Sequence, residues 1–171
     1  VQLGNTQAQT ITLTNSGSSS VPISQVSASG SGFSLSGIST PLTLGAGLST
    51  TFTATFNPNA AGAVTGSVAI TSTSSNPSLN VGLSGTGVTA ATLAASPTSI
   101  GFGSVQVGNT QSQSERLTNS GGTVLHLATA TVSGAGFGTS GLSVPTTLNP
   151  GQSLTFNVTF APSGGGAANG S

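Results

Sequence analysis

Apolar and polar residues alternate along most of the chain, which is the spacing of strands with one buried face. The clearest case is residues 51–56, where Phe52 and Phe56 alternate with threonines before Asn57-Pro58 ends the run. The same spacing recurs at Ile11, Leu13, Val21, Ile23, Val64, Val68, Ile70, Leu79, Val81 and Leu83, and then at Ile100, Phe102, Val105, Val107, Leu125, Leu127, Leu154, Phe156, Val158 and Phe160. Helical periodicity of useful length is missing. Short strands separated by turns therefore predict an all-β sandwich.

The chain contains one unit twice. Residues 1–67 align without a gap with residues 105–171, so that Phe33 and Phe137 lie 104 residues apart, and roughly half of the aligned positions are identical. A period of this length suits a whole domain, because solenoid repeats span only about 20–50 residues. We therefore predict a first domain at residues 1–87, a short linker at 88–92 and a second domain at 93–171.

The two units are cut at different points of a common frame. The second begins with residues 93–104, which have no counterpart before Val1, and the first continues through residues 68–85, which have no counterpart after Ser171. We expect about seven strands per domain, with the first domain lacking its first strand and the second its last strands. Two interpretations stay open: an arbitrary segment of a longer repeat protein, or a subunit completed by strands of neighbouring copies.

Charge is almost absent from the chain. Glu115 and Arg116 are the only charged side chains, and there is no cysteine. Nucleic acids and anionic membrane surfaces are bound through lysine and arginine, so neither is an expected partner. The lack of cysteine excludes disulfides and thiolate metal sites. With no apolar run of about 18 residues, no membrane span is predicted in this segment.

The chain contains few side chains that could act as catalytic acids or bases. One glutamate without any aspartate leaves no carboxylate pair for glycoside hydrolysis, and a catalytic triad could use only His126 and Glu115. The Gly-x-Ser-x-Gly and Gly-x-Gly-x-x-Gly motifs do not occur. His126 lies between Leu125 and Leu127, so alternation turns it toward solvent. We predict no enzymatic activity, no cofactor and no metal site.

Glu115 is the unusual charged residue. It aligns with Ile11, whose register faces inward, and burying a lone carboxylate is costly. Neighbouring strand residues face opposite sides, so Arg116 is not expected to pair with it directly. Two interpretations follow: Glu115 reaches water at a strand end or edge, or Glu115 and Arg116 contact a neighbouring domain or subunit.

The edge strands of the predicted sheets carry no charged residues that would block pairing with other strands. Soluble sandwiches usually protect edge strands with charge, lysine above all, and zero net charge favours association. This chain has no lysine, so glycans, tight domain stacking or strands of neighbouring copies are needed to cover the edges. Asn157-Val158-Thr159 and Asn169-Gly170-Ser171 match the N-glycosylation pattern, which makes Asn157 and Asn169 candidate glycosylation sites.

Several motifs occur in a familiar order. They are Ile100-Gly101-Phe102-Gly103-Ser104-Val105, Leu117-Thr118-Asn119-Ser120-Gly121, Gly136-Phe137, Leu148-Asn149-Pro150-Gly151-Gln152-Ser153 and, in the first unit, Val81-Gly82-Leu83-Ser84-Gly85. They resemble the immunoglobulin-like ASH (abnormal spindle/Hydin-like) and choice-of-anchor D repeats. The resemblance implies tandem immunoglobulin-like sandwiches related to PapD and major sperm protein. Such domains are mostly non-enzymatic, serving as ciliary and centrosomal scaffolds in eukaryotes and as repeats of large secreted or surface proteins in bacteria.

The composition, with about a third serine and threonine and no lysine, is similar to the bacterial extracellular branch of these repeats. We therefore expect a structural module of an extracellular or cell-surface bacterial repeat protein, in a stalk or a fibre. Its expected partners are other copies of itself or neighbouring repeats, joined in one version by strand exchange. The alternatives are an adhesin-type module that binds a glycan or a protein, although no Trp or Tyr offers a platform for sugar, and an intracellular scaffold domain.

Overall fold

The computed structural model describes all residues, Val1–Ser171, and its regular elements are strands alone. The chain divides into two compact units, Val1–Thr89 and Ala90–Ser171. Unit 1 contains β1 (Gln7–Thr14), β2 (Val21–Ser29), β3 (Phe33–Ser36), β4 (Leu42–Leu44), β5 (Ser49–Phe56), β6 (Gly62–Ser72) and β7 (Ser78–Gly87). Unit 2 contains β8 (Leu93–Ser96), β9 (Gln111–Asn119), β10 (Leu125–Leu127), β11 (Phe137–Ser140), β12 (Thr146–Leu148) and β13 (Ser153–Phe160). The predicted all-β class is confirmed.

Unit 1 is a sandwich of two antiparallel sheets. One sheet has the order β1-β5-β3, and the other has the order β4-β2-β6-β7. Phe52 of the first sheet packs with Ile23, Leu44, Val68 and Ile70 of the second, and all five side chains are buried. Each such side chain contributes roughly 1.5–3 kcal/mol through the apolar surface it removes from water. The alternation in the sequence therefore selects the inward face of each strand.

The two sheets of unit 1 are also tied by a buried asparagine. Asn15 follows β1, and its Nδ2 donates to the carbonyl oxygens of Ser19 at 2.8 Å and Leu44 at 2.9 Å. Its Oδ1 accepts the N–H of Gly17 at 3.0 Å, and its backbone N–H donates to the carbonyl of Leu48. Leu44 ends β4, so one side chain links the end of one sheet to the end of the other.

Unit 2 repeats this asparagine clamp. Asn119 is fully buried, and its Nδ2 donates to the carbonyl oxygens of Thr123 at 2.8 Å and Leu148 at 2.9 Å. Its Oδ1 accepts the N–H of Gly121 at 3.0 Å and that of Thr92 at 3.3 Å. Burying an amide without partners would be costly, and here both polar ends are satisfied. The clamp thus joins the end of β9 to the end of β12 in the facing sheet.

The second sheet of unit 2 is much smaller than that of unit 1. The larger sheet has the order β11-β13-β9-β8, whereas only β10 and β12 form the other. Leu148 and Phe160 are the buried apolar residues of unit 2, against seven in unit 1. Phe156 stands where unit 1 has Phe52 but is only half-buried, since none of the strands β8 to β13 covers it as β6 covers Phe52.

The alternation at residues 100–107 predicts a strand, and this prediction is wrong. The residues lie outside any strand, whereas Leu93–Ser96 form β8 and pair with β9. A strand needs a partner to take up its backbone hydrogen bonds. In unit 1 the equivalent residues 1–3 find one at the end of β7, through an isolated parallel bridge between Gln2 and Val88. Residues 105–107 have no such partner.

We expect Asn119→Ala to lower the free energy of unfolding of unit 2 by about 3 kcal/mol, because it leaves the buried carbonyl of Leu148 and the partly buried groups of Thr123 and Gly121 without this partner. Hydrogen exchange of unit 2 amides measures this loss separately from unit 1. Asn109→Ala is the matched control, since Asn109 is exposed. Equal protection in the two variants would contradict the role of the clamp.

Candidate interaction surface

Glu115 lies inside its sheet. It belongs to β9, which runs between β13 and β8, and it stands opposite Phe156. The side chain is only 7% exposed, so the expectation that it reaches water at a strand end or edge is wrong. Glu115 therefore faces inward, as its alignment with Ile11 predicts, although it carries a charge. The Oε1 atom accepts the N–H of Arg116 at 3.2 Å.

Arg116 faces the opposite side of the sheet and is exposed. Its guanidinium donates to Oγ of Ser153 at 2.8 Å, and the same hydroxyl lies 2.8 Å from Oγ1 of Thr118. Contact of Glu115 and Arg116 with a neighbouring subunit stays a prediction, and of the two side chains only that of Arg116 is accessible in this chain.

The other polar candidates lie apart from one another. His126 of β10 is exposed, which confirms the orientation expected from alternation. Asn157 is exposed on β13, between β11 and β9, and Asn169 is exposed outside the strands. Their glycosylation stays a prediction. The structure holds no group of three or more His, Cys, Asp or Glu side chains able to bind a metal, and no helix long and apolar enough to cross a membrane.

An open backbone edge follows β10. Residues 128–132 are exposed and belong to no strand, and Val132 is 38% exposed. In unit 1 the equivalent residues 24–28 continue β2 and pair with β6, so that Val26 stands opposite Ile70 and Ala28 opposite Val68. The sequence pattern alone did not indicate that residues 128–132 lie outside a strand. The available signal is that their equivalents in unit 1 pair with residues 68–71 of β6, which have no aligned counterpart in unit 2.

A second open edge lies at residues 105–107. In unit 1 the equivalent residues 1–3 hydrogen-bond to the end of β7: the amino group of Val1 donates to the Thr86 carbonyl at 2.7 Å, and the N–H of Leu3 to the Val88 carbonyl at 2.9 Å. Residues 105–107 take part in no strand pairing, and Val107 is 49% exposed. Both stretches are thus equivalent to residues that pair with the β6–β7 hairpin or the residue after it in unit 1.

An aromatic cavity adjoins the edge at residues 105–107. It has a volume of about 610 Å³ and is lined by Phe102, Phe137 and Phe160 together with the glycine-rich residues 164–170. The rings of Phe137 and Phe160 stack with their centroids 4.5 Å apart, and Phe102 lies 5.7 Å from Phe160. Apolar side chains are thus accessible next to an unpaired backbone.

Unit 1 has a separate recess at one end of its sandwich. Its volume is about 480 Å³, its floor is formed by Ile23, Leu44 and Ile70, and its rim by residues 15–20 and 72–76, most of them serines. No aromatic side chain lines it. The adhesin interpretation stays a prediction.

The units resemble known domain families. Residues 1–86 match the model described as "HYDIN/CFA65/VesB-like, Ig-like domain". Residues 88–171 match the model ASH, described as "Abnormal spindle-like microcephaly-assoc'd, ASPM-SPD-2-Hydin". A solved structure of a protein of unknown function from Porphyromonas gingivalis W83 is similar over 95% of this chain and 78% of that one, with 17% sequence identity and a TM-score of 0.45. A comparison with the curated proteins finds no match.

Replacing Glu115 with the isoleucine found at the equivalent position of unit 1 should stabilise unit 2. We expect Glu115→Ile to raise its free energy of unfolding by about 1–3 kcal/mol, because a poorly partnered buried carboxylate is replaced by apolar surface. Hydrogen exchange of unit 2 amides gives the measurement. The reverse change in unit 1, Ile11→Glu, is the control and should destabilise that unit. Loss of protection in Glu115→Ile would show that the carboxylate has a stabilising partner.

Proposed function

The chain belongs to the HYDIN/CFA65/VesB-like immunoglobulin-like domain family, and on this premise we propose that it is a non-enzymatic structural module of a bacterial stalk or fibre. The domains of this family and of the ASH family are generally non-catalytic binding or structural modules. The chain has one glutamate and one histidine, so few side chains could form a catalytic acid–base pair. The proposal assigns it a mechanical and connecting role.

The observation that carries the proposal is the absence of charge from every outer strand, since Glu115 and Arg116 both lie on β9, which is paired on both sides. An unpaired edge offers N–H and C=O groups to another strand, and proteins usually blunt such edges with charge. β7 and β8 are outer strands of their sheets, and neither carries a charged residue. Leu79 of β7 and Leu93 of β8 are exposed and add apolar surface that association removes from water. Both features favour pairing with strands of a neighbouring copy.

Assembly by strand exchange is the form that we propose for this contact. In strand addition, main-chain hydrogen bonds supply affinity and alternate side chains fill pockets. A contact between two different surfaces of successive copies is heterologous and extends into a filament when its rotation does not close a ring. This geometry suits a stalk or a fibre better than a closed dimer.

We also propose that the module acts outside the bacterial cell or on its surface. The support is compositional: the chain has no lysine, no cysteine and about a third serine and threonine, as in the secreted repeats that it resembles. Antibodies against the chain should label intact, unpermeabilised source cells. Labelling that appears only after permeabilisation would favour the intracellular scaffold instead.

A lysine on an outer strand should suppress association. We expect the chain to self-associate as its concentration rises, and Asn80→Lys on β7 to shift it toward the monomer, because a charge blocks pairing at an otherwise neutral edge. Sedimentation velocity over a wide concentration range measures the shift.

Asn157→Lys is the matched control for this experiment. It adds the same charge to an exposed position of β13, a strand that is paired on both sides, and should leave the association unchanged. A chain that stays monomeric at all concentrations, or an equal effect of the two lysines, would overturn the proposed assembly.

A further inference from the structure

β7 is the least protected outer strand of unit 1. Four strands of this unit, β1, β3, β4 and β7, are outermost in their sheets. β3 and β4 have only four and three residues, and short outer strands offer little backbone to a partner. β1 has eight residues, but its equivalent in unit 2, β9, is covered by β8. β7 has ten residues and contains neither a proline nor a charged residue.

The free edge of β7 runs over residues 78–84. On one side β7 pairs with β6 from end to end, without any shift of register. On the other side, residues 1–3 hydrogen-bond only to residues 86–88. In unit 2 the strand that precedes the equivalents of residues 1–3 is β8, and it pairs with β9, the equivalent of β1. A strand of this kind therefore covers β1 and leaves residues 78–84 of β7 free.

The sequence of this free stretch is almost the same in both directions. Residues 78–84 are Ser-Leu-Asn-Val-Gly-Leu-Ser, so that the two serines and the two leucines are placed symmetrically about Val81. When two copies of one strand pair antiparallel about a two-fold axis, each residue stands opposite the residue at the mirrored position. A strand that is symmetrical about its centre is therefore complementary to itself, and this favours a second copy of β7 as the partner.

The inward face of such a pair is apolar. Val81 and Leu83 already pack against the core of unit 1, whereas Leu79 is 39% exposed. With the two-fold axis at Val81, Leu79 of each copy stands opposite Leu83 of the other, and the two Val81 side chains are neighbours. Pairing therefore removes the exposed surface of Leu79 from water and continues the apolar face of the sheet into the second copy.

The outward face of the pair is also complementary. Asn80 of each copy stands opposite Gly82 of the other, so the larger side chain lies beside the position that has none. A Cβ at Gly82 would meet nothing within 4 Å in the single chain, so there is room on this face. Because β7 carries no charged residue, its pairing with a second copy brings no like charges together.

We propose that two copies of this chain pair through residues 78–84 of β7, antiparallel and about a two-fold axis at Val81, so that their two four-stranded sheets become one continuous sheet. This inference rests on the proposed self-association and names the strand and the register that carry it. An isologous contact of this kind joins copies in pairs, and growth into a filament adds a heterologous contact.

Introduced cysteines test the register, because the chain has none of its own. A disulfide needs Cα atoms about 4.4–6.8 Å apart, which directly opposite residues can meet, whereas residues displaced by two positions lie about 7–8 Å apart. Asn80 is exposed and Gly82 has free space around it, so Asn80→Cys and Gly82→Cys should both fold. A mixture of these two variants under mild oxidation should form linked pairs at least about tenfold faster than either variant alone. Non-reducing electrophoresis of the intact chains measures the rates.

A mixture of Asn80→Cys with Ser84→Cys is the matched control. Ser84 is exposed on the same face of β7 but lies two positions away from the residue opposite Asn80. This mixture should form linked pairs no faster than the single variants do.

The outcomes separate this inference from the proposed function. Equal rates in the two mixtures would overturn the inference, and so would fast linking of Asn80→Cys alone, which indicates parallel pairing or another register. Chain that self-associates and responds to Asn80→Lys, but does not link in the mixture of Asn80→Cys with Gly82→Cys, would leave the proposed function standing and refute this contact. Chain that links as predicted but never grows beyond a pair would support this contact and refute growth into a fibre by the chain alone.

Discussion

One buried asparagine in each unit joins the ends of two facing sheets, and the rest of the fold depends on this link. Asn15 and Asn119 reach the carbonyl oxygens of Leu44 and Leu148 at the same distance of 2.9 Å. A sandwich of short strands has few backbone hydrogen bonds between its sheets, because those bonds run within each sheet. A side chain with two donors and an acceptor fixes the loops and the sheet ends together, and the apolar core then packs between surfaces already held in place.

Much of this fold could be predicted from sequence, and the failures have physical causes. Alternation located strands such as β5, because a half-buried strand must alternate. It failed at residues 105–107, where the pattern is present but the partner strand is not. In the sequence, Asn15 and Asn119 are identifiable only as turn residues. Their burial depends on hydrogen bonds to the carbonyls of Leu44 and Leu148, which are distant in sequence. Glu115 was expected to escape to water, yet the pairing of β9 with strands on both sides holds it in the register of Ile11.

The two units share most of their strands but differ in how well their cores are covered. Most residues shared by the units form the same strands, with the same clamp and the same stacked phenylalanines, at 4.7 Å in unit 1 and 4.5 Å in unit 2, whereas residues 24–29 of β2 have equivalents that lie outside any strand. Their burial differs, since Phe52 is covered by β6 and Phe156 is not. Residues common to both units thus form most of the sheets, whereas the burial of Phe52 in unit 1 depends on Val68 and Ile70 of β6.

The near-absence of charged side chains limits how the strands of this chain can select their partners. Charged interfaces gain specificity from complementary potentials and by repelling wrong partners. An uncharged chain of repeated units has only shape and register with which to choose, and any exposed strand could otherwise pair with any edge. Close packing fixes register within unit 1, because a Cβ at Gly85 of β7 would lie 2.5 Å from the ring of Phe56. A side chain at that point would overlap the ring, so only a glycine of β7 can lie there.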